Sequence, residues 1–258
     1  MSVQLYDSPF ETGDTLTKRF ERKYYLAPRQ VGLAYGLIRQ ICLKDSQYPS
    51  EQINSLYFDT GDLDQHERST SGDFQKDKVR IRWYGDISEE HGKIPVYIEL
   101  KSRQGFASSK KRHRLLVSAE KLETHNLNDG IVSKTLLKET LAGFGHFPDR
   151  PLISVIYISY QRYRFNEIQT GVRVSFDYEI HARVVAPELS RHDRSIRLSW
   201  NVIEVKGPTL ELPGTLRRMK LLDTDWSRFS KYGYSLDTHF ARPGSVSRAW
   251  PVGRMIET

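Results

Sequence analysis

Three cations alternate with apolar residues in the segment KDKVRIRWYG, which spans residues 76–85. Lys78, Arg80 and Arg82 stand two residues apart, so they share one face of a strand. The residues between them are apolar and fall on the opposite face: Val79, Ile81 and Trp83. Arginine and lysine bind phosphate oxygens, and arginine can do so through two parallel hydrogen bonds. The segment therefore predicts a strand with one cationic face, of a kind that suits phosphate, and one apolar face, with Trp83 in the core beneath a helix.

Charged residues recur at the same spacing on other predicted strands. The alternation predicts five further charged faces: Glu21 and Lys23; Glu99, Lys101 and Arg103; Arg162 and Arg164; Arg173, Ser175, Asp177, Glu179, His181 and Arg183; and Glu204 with Lys206. One interpretation is an antiparallel sheet with one solvated face. The other is a barrel with these faces inward, which needs a polyanion and a divalent cation to neutralise the enclosed charge. The carboxylates among them suit a hard metal ion. Periodicity alone leaves both interpretations open.

The elements that must position these residues form one α+β domain of about eight mostly antiparallel strands. The predicted strands are 20–26, 52–60, 78–85, 96–103, 108–117, 151–165, 171–183 and 201–207. The predicted helices are 28–45, 118–125, 132–143 and 215–224. Residues 1–17 are expected to form a flexible segment, and residues 241–258 a C-terminal tail with Pro and Gly. Tyr57 and Asp59 are expected to hold the turn after the second strand.

Composition and motifs exclude several classes of protein. The net charge of +7 and pI near 9.3 are compatible with a polyanionic partner or with a mildly basic surface. The single Cys42 excludes an internal disulfide and a cysteine metal cluster. No signal peptide, membrane-spanning segment, Walker P-loop or paired zinc-protease histidines are found. Nucleic-acid binding is the weaker reading, because the cations lie on predicted strand faces without an open patch of stacking aromatics.

Nine segments, in order, resemble the VTC (vacuolar transporter chaperone) domain of the triphosphate tunnel metalloenzymes, which also include the CYTH proteins. They are ERKYYL, INSLYFDT, KVRIRWYG, YIELKSR, SSKKRHRL, YQRYRF, GVRVSFDYEI, VIEVKG and FSKYG. The CYTH opening Glu-x-Glu-x-Lys is incomplete, since Arg19 replaces its first Glu. The resemblance implies an antiparallel eight-stranded closed β-tunnel surrounded by helices, over a single domain at 18–240.

The resemblance also implies roles for individual residues. Four are expected to be catalytic: Arg80, Arg82, Lys101 and Arg162. Six are expected to bind phosphate: Lys23, Lys110, Arg112, Arg173, Lys206 and Lys231. Three carboxylates are expected to hold Mn²⁺ or Mg²⁺: Glu204, Glu21 and Glu99, of which the last two are also suited to orienting lysines instead.

The function implied is metal-dependent phosphoryl transfer, from ATP to a growing inorganic polyphosphate chain. Two alternatives are a hydrolase of triphosphate or tripolyphosphate and a non-catalytic module that binds polyphosphate or nucleotide. The expected partners are ATP or another triphosphate and polyphosphate, without nucleic acid. A cytoplasmic location is expected, either free or at a membrane through a membrane-protein partner.

Overall fold

The structure of this protein is a computed structural model that describes residues 20–87, 92–105, 107–189, 195–209, 211–222, 226–227 and 230–240. The predictions for residues 1–17 and 241–258 fall outside these ranges. Within them, the helices are too short or too polar to cross a bilayer.

Strands make up most of the described chain. Eight are long: β1 (Phe20–Leu26), β3 (Ser50–Asp59), β4 (Gln75–Tyr84), β5 (Lys93–Gln104), β6 (Ala107–Ser118), β7 (Ile153–Glu167), β8 (Arg173–Val184) and β10 (Asn201–Gly207). Three are short: β2 (Cys42–Lys44), β9 (Ser195–Arg197) and β11 (Trp226–Ser227). The predicted number of strands therefore matches the long strands of the described chain.

The strands form one sheet in the order β11-β1-β10-β8-β7-β3-β4-β5-β6, with β2 paired to β7 and β9 to β8. Every described pairing is antiparallel, as predicted. In the part of the chain that the structure describes, β6 and β11 are the two ends of this ladder, and no hydrogen-bonded pairing joins them.

The sheet is strongly curled. Strands β1 and β5 are six strand-to-strand steps apart, which would separate them by about 29 Å in a flat sheet. Nevertheless, Lys101 Nζ on β5 lies 3.3 Å from Glu21 Oε2 on β1. Two side chains cannot span the flat distance, so the sheet wraps around an enclosed concave space, called the lumen below. The predicted tunnel is present. In the described residues, however, its two sides are joined by a contact between side chains of β1 and β5 and not by backbone hydrogen bonds.

Helices cover the convex face of the sheet. Helix α3 (Lys134–Gly143) packs Leu137 and Leu141 in one apolar cluster with β3, β4 and β5. Trp83 belongs to this cluster with an exposed fraction of 1%, as predicted for a core residue beneath a helix. Helix α1 (Val31–Ile41) packs Ala34 and Ile38 in a second cluster with β7, β8 and β10. Both clusters use the apolar residues that alternate with the charged ones.

Several boundaries differ from the prediction. The helix predicted over 28–45 is a 3₁₀ turn followed by α1, and it ends at Ile41 because Cys42–Lys44 pairs with β7 as strand β2. The helices predicted over 118–125 and 215–224 are 3₁₀ segments within the described residues. Helix α2 (Asp64–Ser71) was not predicted, because its sequence DQHERSTS has no apolar stripe.

A β-bulge reverses the two faces of β8. Glu179 has a φ of 50°, and the register with β7 shifts between Ser159 and Gln161. Beyond the bulge the apolar residues Ile180, Ala182 and Val184 occupy the concave side. The prediction that Glu179, His181 and Arg183 continue the charged face is therefore wrong, since strict alternation holds only where no residue is inserted.

Helix α4 (Lys231–Phe240) fills the end of the lumen that this reversal makes apolar. Its Tyr232 and Leu236 are buried in a cluster with β8 residues beyond the bulge. Tyr232 also stacks on Tyr57 of β3, with ring centroids 5.1 Å apart. The lumen is therefore apolar and filled at the α4 end, and charged along the rest of its length.

Asp59 joins β3, α2 and α4 through one buried carboxylate. It accepts hydrogen bonds from the backbone N–H groups of Thr60, Gln65 and His66, at 2.8, 2.9 and 2.9 Å. The hydroxyl of Tyr232 donates to the same carboxylate at 2.5 Å. Asp59 thus holds the turn after β3, as predicted, and also anchors α4.

We expect Asp59→Ala to lower the free energy of unfolding by roughly 3–5 kcal/mol, because several buried donors lose their acceptor. Tyr232→Phe removes one of these bonds and should lower it by only about 1–2 kcal/mol. Urea unfolding followed by circular dichroism would measure both. Equal and small losses would contradict the anchoring role of Asp59.

Candidate functional site

Charged side chains from seven strands and α4 meet inside the lumen. The cations that take part are Lys23, Lys78, Arg80, Arg82, Lys101, Lys110, Arg162, Lys206 and Lys231. The carboxylates are Glu21, Glu99, Asp177 and Glu204. We call this set the lumen network. It brings together eleven of the thirteen predicted site residues, and its cations outnumber its carboxylates.

The remaining two predicted residues lie at the margin. The Arg112 guanidinium sits 5.3 Å from the centre of the Tyr97 ring and is exposed. Arg173 is also exposed, beside Lys206 in the register of β8 and β10. Their roles in phosphate binding stay predictions.

The solvent exposure of the lumen side chains shows which end of the lumen is open. The side chains of Lys101, Lys110 and Lys206 are 43%, 44% and 42% exposed. Those of Arg162 and Lys231 are only 13% and 11% exposed. The lumen thus opens to solvent where the three lysines lie and is deepest near the start of α4.

Glu99 is the first of three acidic centres in the lumen network. Its Oε2 accepts from Arg80 Nε at 2.8 Å, and Lys110 Nζ lies 2.5 Å from its Oε1. Burial alone would raise the pKa of Glu99, but Arg80, Arg82 and Lys110 together hold that pKa well below its usual range. Glu99 is therefore a charged carboxylate that fixes two cations in place.

Glu21 and Glu204 form the second centre, on the paired strands β1 and β10. Glu21 contacts Lys23 at 2.7 Å and Lys101 at 3.3 Å, while Glu204 contacts Lys206 and lies 3.9 Å from Arg162. Burial raises the pKa of Glu21, Lys23 lowers it and Glu204 raises it, with a net value of about 2. The two carboxylates therefore remain ionised and close enough to repel one another.

Asp177 is the third centre, and it was placed on the charged face of β8 without being selected as a site residue. Its carboxylate accepts two parallel hydrogen bonds from Arg162, at 2.6 and 2.7 Å. Lys231 donates to it at 2.6 Å. The signal that could have found Asp177 is its cross-strand register, since Arg162 and Asp177 are directly opposite on β7 and β8.

Two tyrosines complete the inner wall. Tyr57 accepts a hydrogen bond from Arg80 at 3.0 Å, and Tyr160 accepts one from Arg82 at 3.4 Å. Lys231 Nζ lies 4.7 Å from the centre of the Tyr160 ring. Tyr57 was expected only to hold a turn, but its hydroxyl orients a lumen arginine. Burial raises the pKa of Tyr57 but Arg80 and the other cations outweigh it, so the pKa is lowered.

The described ranges contain no group of three or more His, Cys, Asp or Glu side chains placed to hold a metal ion. Glu99 as a metal ligand stays a prediction, and its contacts with Arg80 and Lys110 favour the alternative role of orienting cations. Glu21 and Glu204 as metal ligands also stay predictions: each contacts a lysine, but the two carboxylates are close enough to repel one another and could share a cation.

The pKa of Glu21 predicts a dependence of stability on pH. Because its pKa falls from the usual 4.5 to about 2 on folding, its contribution is complete above about pH 4.5 and is lost as the pH falls towards 2. Between pH 5 and pH 3, Glu21→Gln should therefore lose less stability than the unmodified protein. Thermal unfolding across this range would measure the effect, with Glu120→Gln at an exposed position as the matched control. Parallel pH profiles for the unmodified protein and Glu21→Gln would contradict it.

Comparison with solved structures finds similar chains at low sequence identity. A candidate adenylate cyclase from Bacillus halodurans is 15% identical, with a TM-score of 0.46 over 82% of this chain and 92% of that one. A candidate adenylyl cyclase from Hippeastrum, described as having a dominant triphosphatase activity, is 17% identical, with a TM-score of 0.45 over 86% and 97%. A candidate adenylate cyclase from Vibrio parahaemolyticus is 8% identical, with a TM-score of 0.40 over 83% and 95%.

Comparison with curated proteins finds no match to this chain. The VTC domain model, in contrast, matches residues 18–240, which include the strands and the helix that supply the lumen network. The match covers most of the 258 residues. The chain therefore belongs to the VTC domain family.

Proposed function

We propose that this protein is a metal-dependent phosphotransferase that holds the phosphates of ATP, or of another triphosphate, in its lumen. The observation that carries the proposal is the lumen network, in which cations outnumber carboxylates inside a curled sheet. An excess of enclosed cations needs an anion to offset it. A chain of phosphates supplies several negative charges along one line, which matches cations spread over six strands.

The carboxylates hold the cations ready for such a ligand. Arg162 is fixed by the two oxygens of Asp177, and Arg80 by Glu99 and Tyr57. Cations held in position lose little freedom when a phosphate binds, which is the basis of electrostatic preorganisation. One ion pair at 4 Å contributes about 4 kcal/mol at an effective dielectric of 20, so a few such pairs can offset the loss of hydration of the ligand.

The residues present fit a divalent cation that is shared with the ligand. Mg²⁺ in phosphotransferases is commonly held by one or two carboxylates together with phosphate oxygens and waters. Glu21 and Glu204 would supply such a pair, and in the described ranges no larger group of acidic side chains is placed to hold a metal ion. When bound, Mn²⁺ or Mg²⁺ would neutralise negative charge on the phosphates.

The reaction proposed for the lumen is transfer of the terminal phosphoryl group of ATP to the end of a polyphosphate chain. A terminal oxygen of the acceptor forms a bond to the γ-phosphorus, the bond from that phosphorus to the bridging oxygen breaks, and ADP leaves with the electron pair. In this scheme Arg80 and Arg162 bind the equatorial oxygens of the transferred group, while Lys101, Lys110 and Lys206 hold the chain at the mouth. The protein contributes alignment and charge stabilisation, which dominate phosphoryl transfer.

Hydrolysis of a triphosphate is the second candidate, and the apolar packing at the α4 end favours it. Tyr232 and Leu236 fill that end, so donor, acceptor and products would all use the solvent-exposed mouth. A short substrate meets that constraint more easily than a long polymer. Water then replaces the polyphosphate oxygen as the nucleophile.

One experiment distinguishes a polymerase, a hydrolase and a binding module from one another. Purified protein is mixed with ATP and Mn²⁺ or Mg²⁺, with and without a short polyphosphate primer, and phosphate release and chain length are both read. Long chains with ADP would indicate a polymerase, and free phosphate without chains a hydrolase. Binding of ATP or tripolyphosphate without turnover would overturn the assignment as an enzyme.

We expect Arg80→Ala and Glu204→Ala to lower the rate of turnover by about 10²-fold or more, since each removes a group that would contact the phosphates or the metal. Arg197→Ala is the matched control, because Arg197 is 66% exposed and pairs only loosely with Glu179, at 3.8 Å. Circular dichroism would check that each variant is folded. Normal turnover in both folded lumen variants would contradict the placement of the reaction in the lumen.

A further inference from the structure

Lys78 is the lumen cation to which neither the family resemblance nor the proposed reaction gives a role. It lies on the same face of β4 as Arg80 and Arg82, opposite Lys101 of β5 and beside the start of α4. Its Nζ donates to Ser230 Oγ at 2.8 Å. Ser230 Oγ also accepts from the backbone N–H of Gly233, so the hydroxyl lies at the first turn of α4.

The partners of Lys78 differ from those of most lumen cations. Seven of these cations contact a carboxylate: Lys23, Arg80, Lys101, Lys110, Arg162, Lys206 and Lys231. Among the described residues, Lys78 and Arg82 instead have hydroxyl acceptors, from Ser230, Ser55 and Tyr160. A hydroxyl accepts a hydrogen bond but offsets no charge, so positive charge is concentrated on the wall that β4 forms.

Four cations lie close enough to Lys78 to lower its pKa. Lys101 is its cross-strand neighbour on β5, Lys76 and Arg80 lie on its own strand, and Lys23 faces it from β1. Burial lowers the pKa of Lys78, and these neighbouring cations lower it further, to about 7. A phosphate bound beside the ammonium group would act in the opposite direction and favour the charged form.

We propose that Lys78 binds a phosphate group of the lumen ligand, at the place where β4 meets the start of α4. The assignment rests on the proposed function, since it requires that phosphates enter the lumen, and it adds a phosphate-binding residue that the proposed reaction does not use. The contact with Ser230 leaves two donor positions of the ammonium group for phosphate oxygens. The competing explanation is a structural one, in which Lys78 only tethers α4 through Ser230.

The test measures binding of tripolyphosphate by isothermal titration calorimetry, without metal, at pH 6 and pH 8. Lys78→Met removes the charge and should weaken binding at pH 6 by about tenfold or more, as expected for one charge-assisted contact. Lys78→Arg keeps a charge at both pH values and should bind at pH 8 at least as tightly as the unmodified protein. From pH 8 to pH 6, the unmodified protein should gain more affinity than Lys78→Met.

Two further variants separate binding from tethering. Ser230→Ala removes the tether but keeps the ammonium group, so it should lower the melting temperature while affinity changes less than twofold. Lys76→Met is the matched control, because Lys76 lies on the same strand and donates to the carbonyl of Ser69 at 3.3 Å. It should leave affinity within about twofold, as expected for a charge without a direct phosphate contact.

The outcomes distinguish a failure of the role given to Lys78 from a failure of the proposed function. Binding by the unmodified protein with unchanged affinity in folded Lys78→Met would overturn the role of Lys78 and leave the proposed function in place. Equal loss of affinity in Ser230→Ala and Lys78→Met would assign Lys78 to the tether and also overturn its phosphate role. No binding of tripolyphosphate by the unmodified protein, with or without Mn²⁺, would overturn the proposed function and the role of Lys78 together.

Discussion

The pairing of buried carboxylates with more numerous cations is the interaction on which the rest of this structure depends. Isolated charges could not be enclosed by a sheet, because the loss of hydration would exceed what the fold can supply. Glu99, Asp177 and the pair Glu21 and Glu204 each hold cations from different strands or helices. They make the lumen stable without a ligand and still leave it positive. The same contacts therefore serve folding and anion binding.

The alternation of side chains along each strand is enough to place the charged residues in the lumen and the apolar residues in the core. Every second residue of β4 faces the lumen, and the residues between them, Val79, Ile81 and Trp83, are buried beneath α3. The hydrophobic packing that stabilises the convex face thus fixes the direction in which the cations point. A one-residue slip in register would exchange the two faces and place the charged residues in the core. The apolar core therefore fixes which side chains face the lumen.

Part of the site could be predicted from the sequence, because a period of two assigns a face to each residue, whereas the enclosure of these faces was implied only by the resemblance to the VTC domain. Lys23, Arg80, Lys101 and Glu204 were placed in this way. The alternation failed at Glu179, where the inserted residue of the bulge is set by long-range pairing with β7 and by the packing of α4. Asp177 was placed on the correct face, but its role required the cross-strand register. Helix α2 was missed because Asp59 and tertiary contacts stabilise it, rather than an apolar stripe.

The ladder that ends at β6 and β11 in the described residues gives the wall a seam. The described contact between β1 and β5 is an ionic one, from Glu21 to Lys101, and it can lengthen without breaking a backbone hydrogen bond. A ring closed by hydrogen bonds has a fixed circumference, whereas a split ring can change its bore. Among the described residues, the contact that spans this seam is therefore one whose strength depends on ionic strength and on the charge of what the lumen holds.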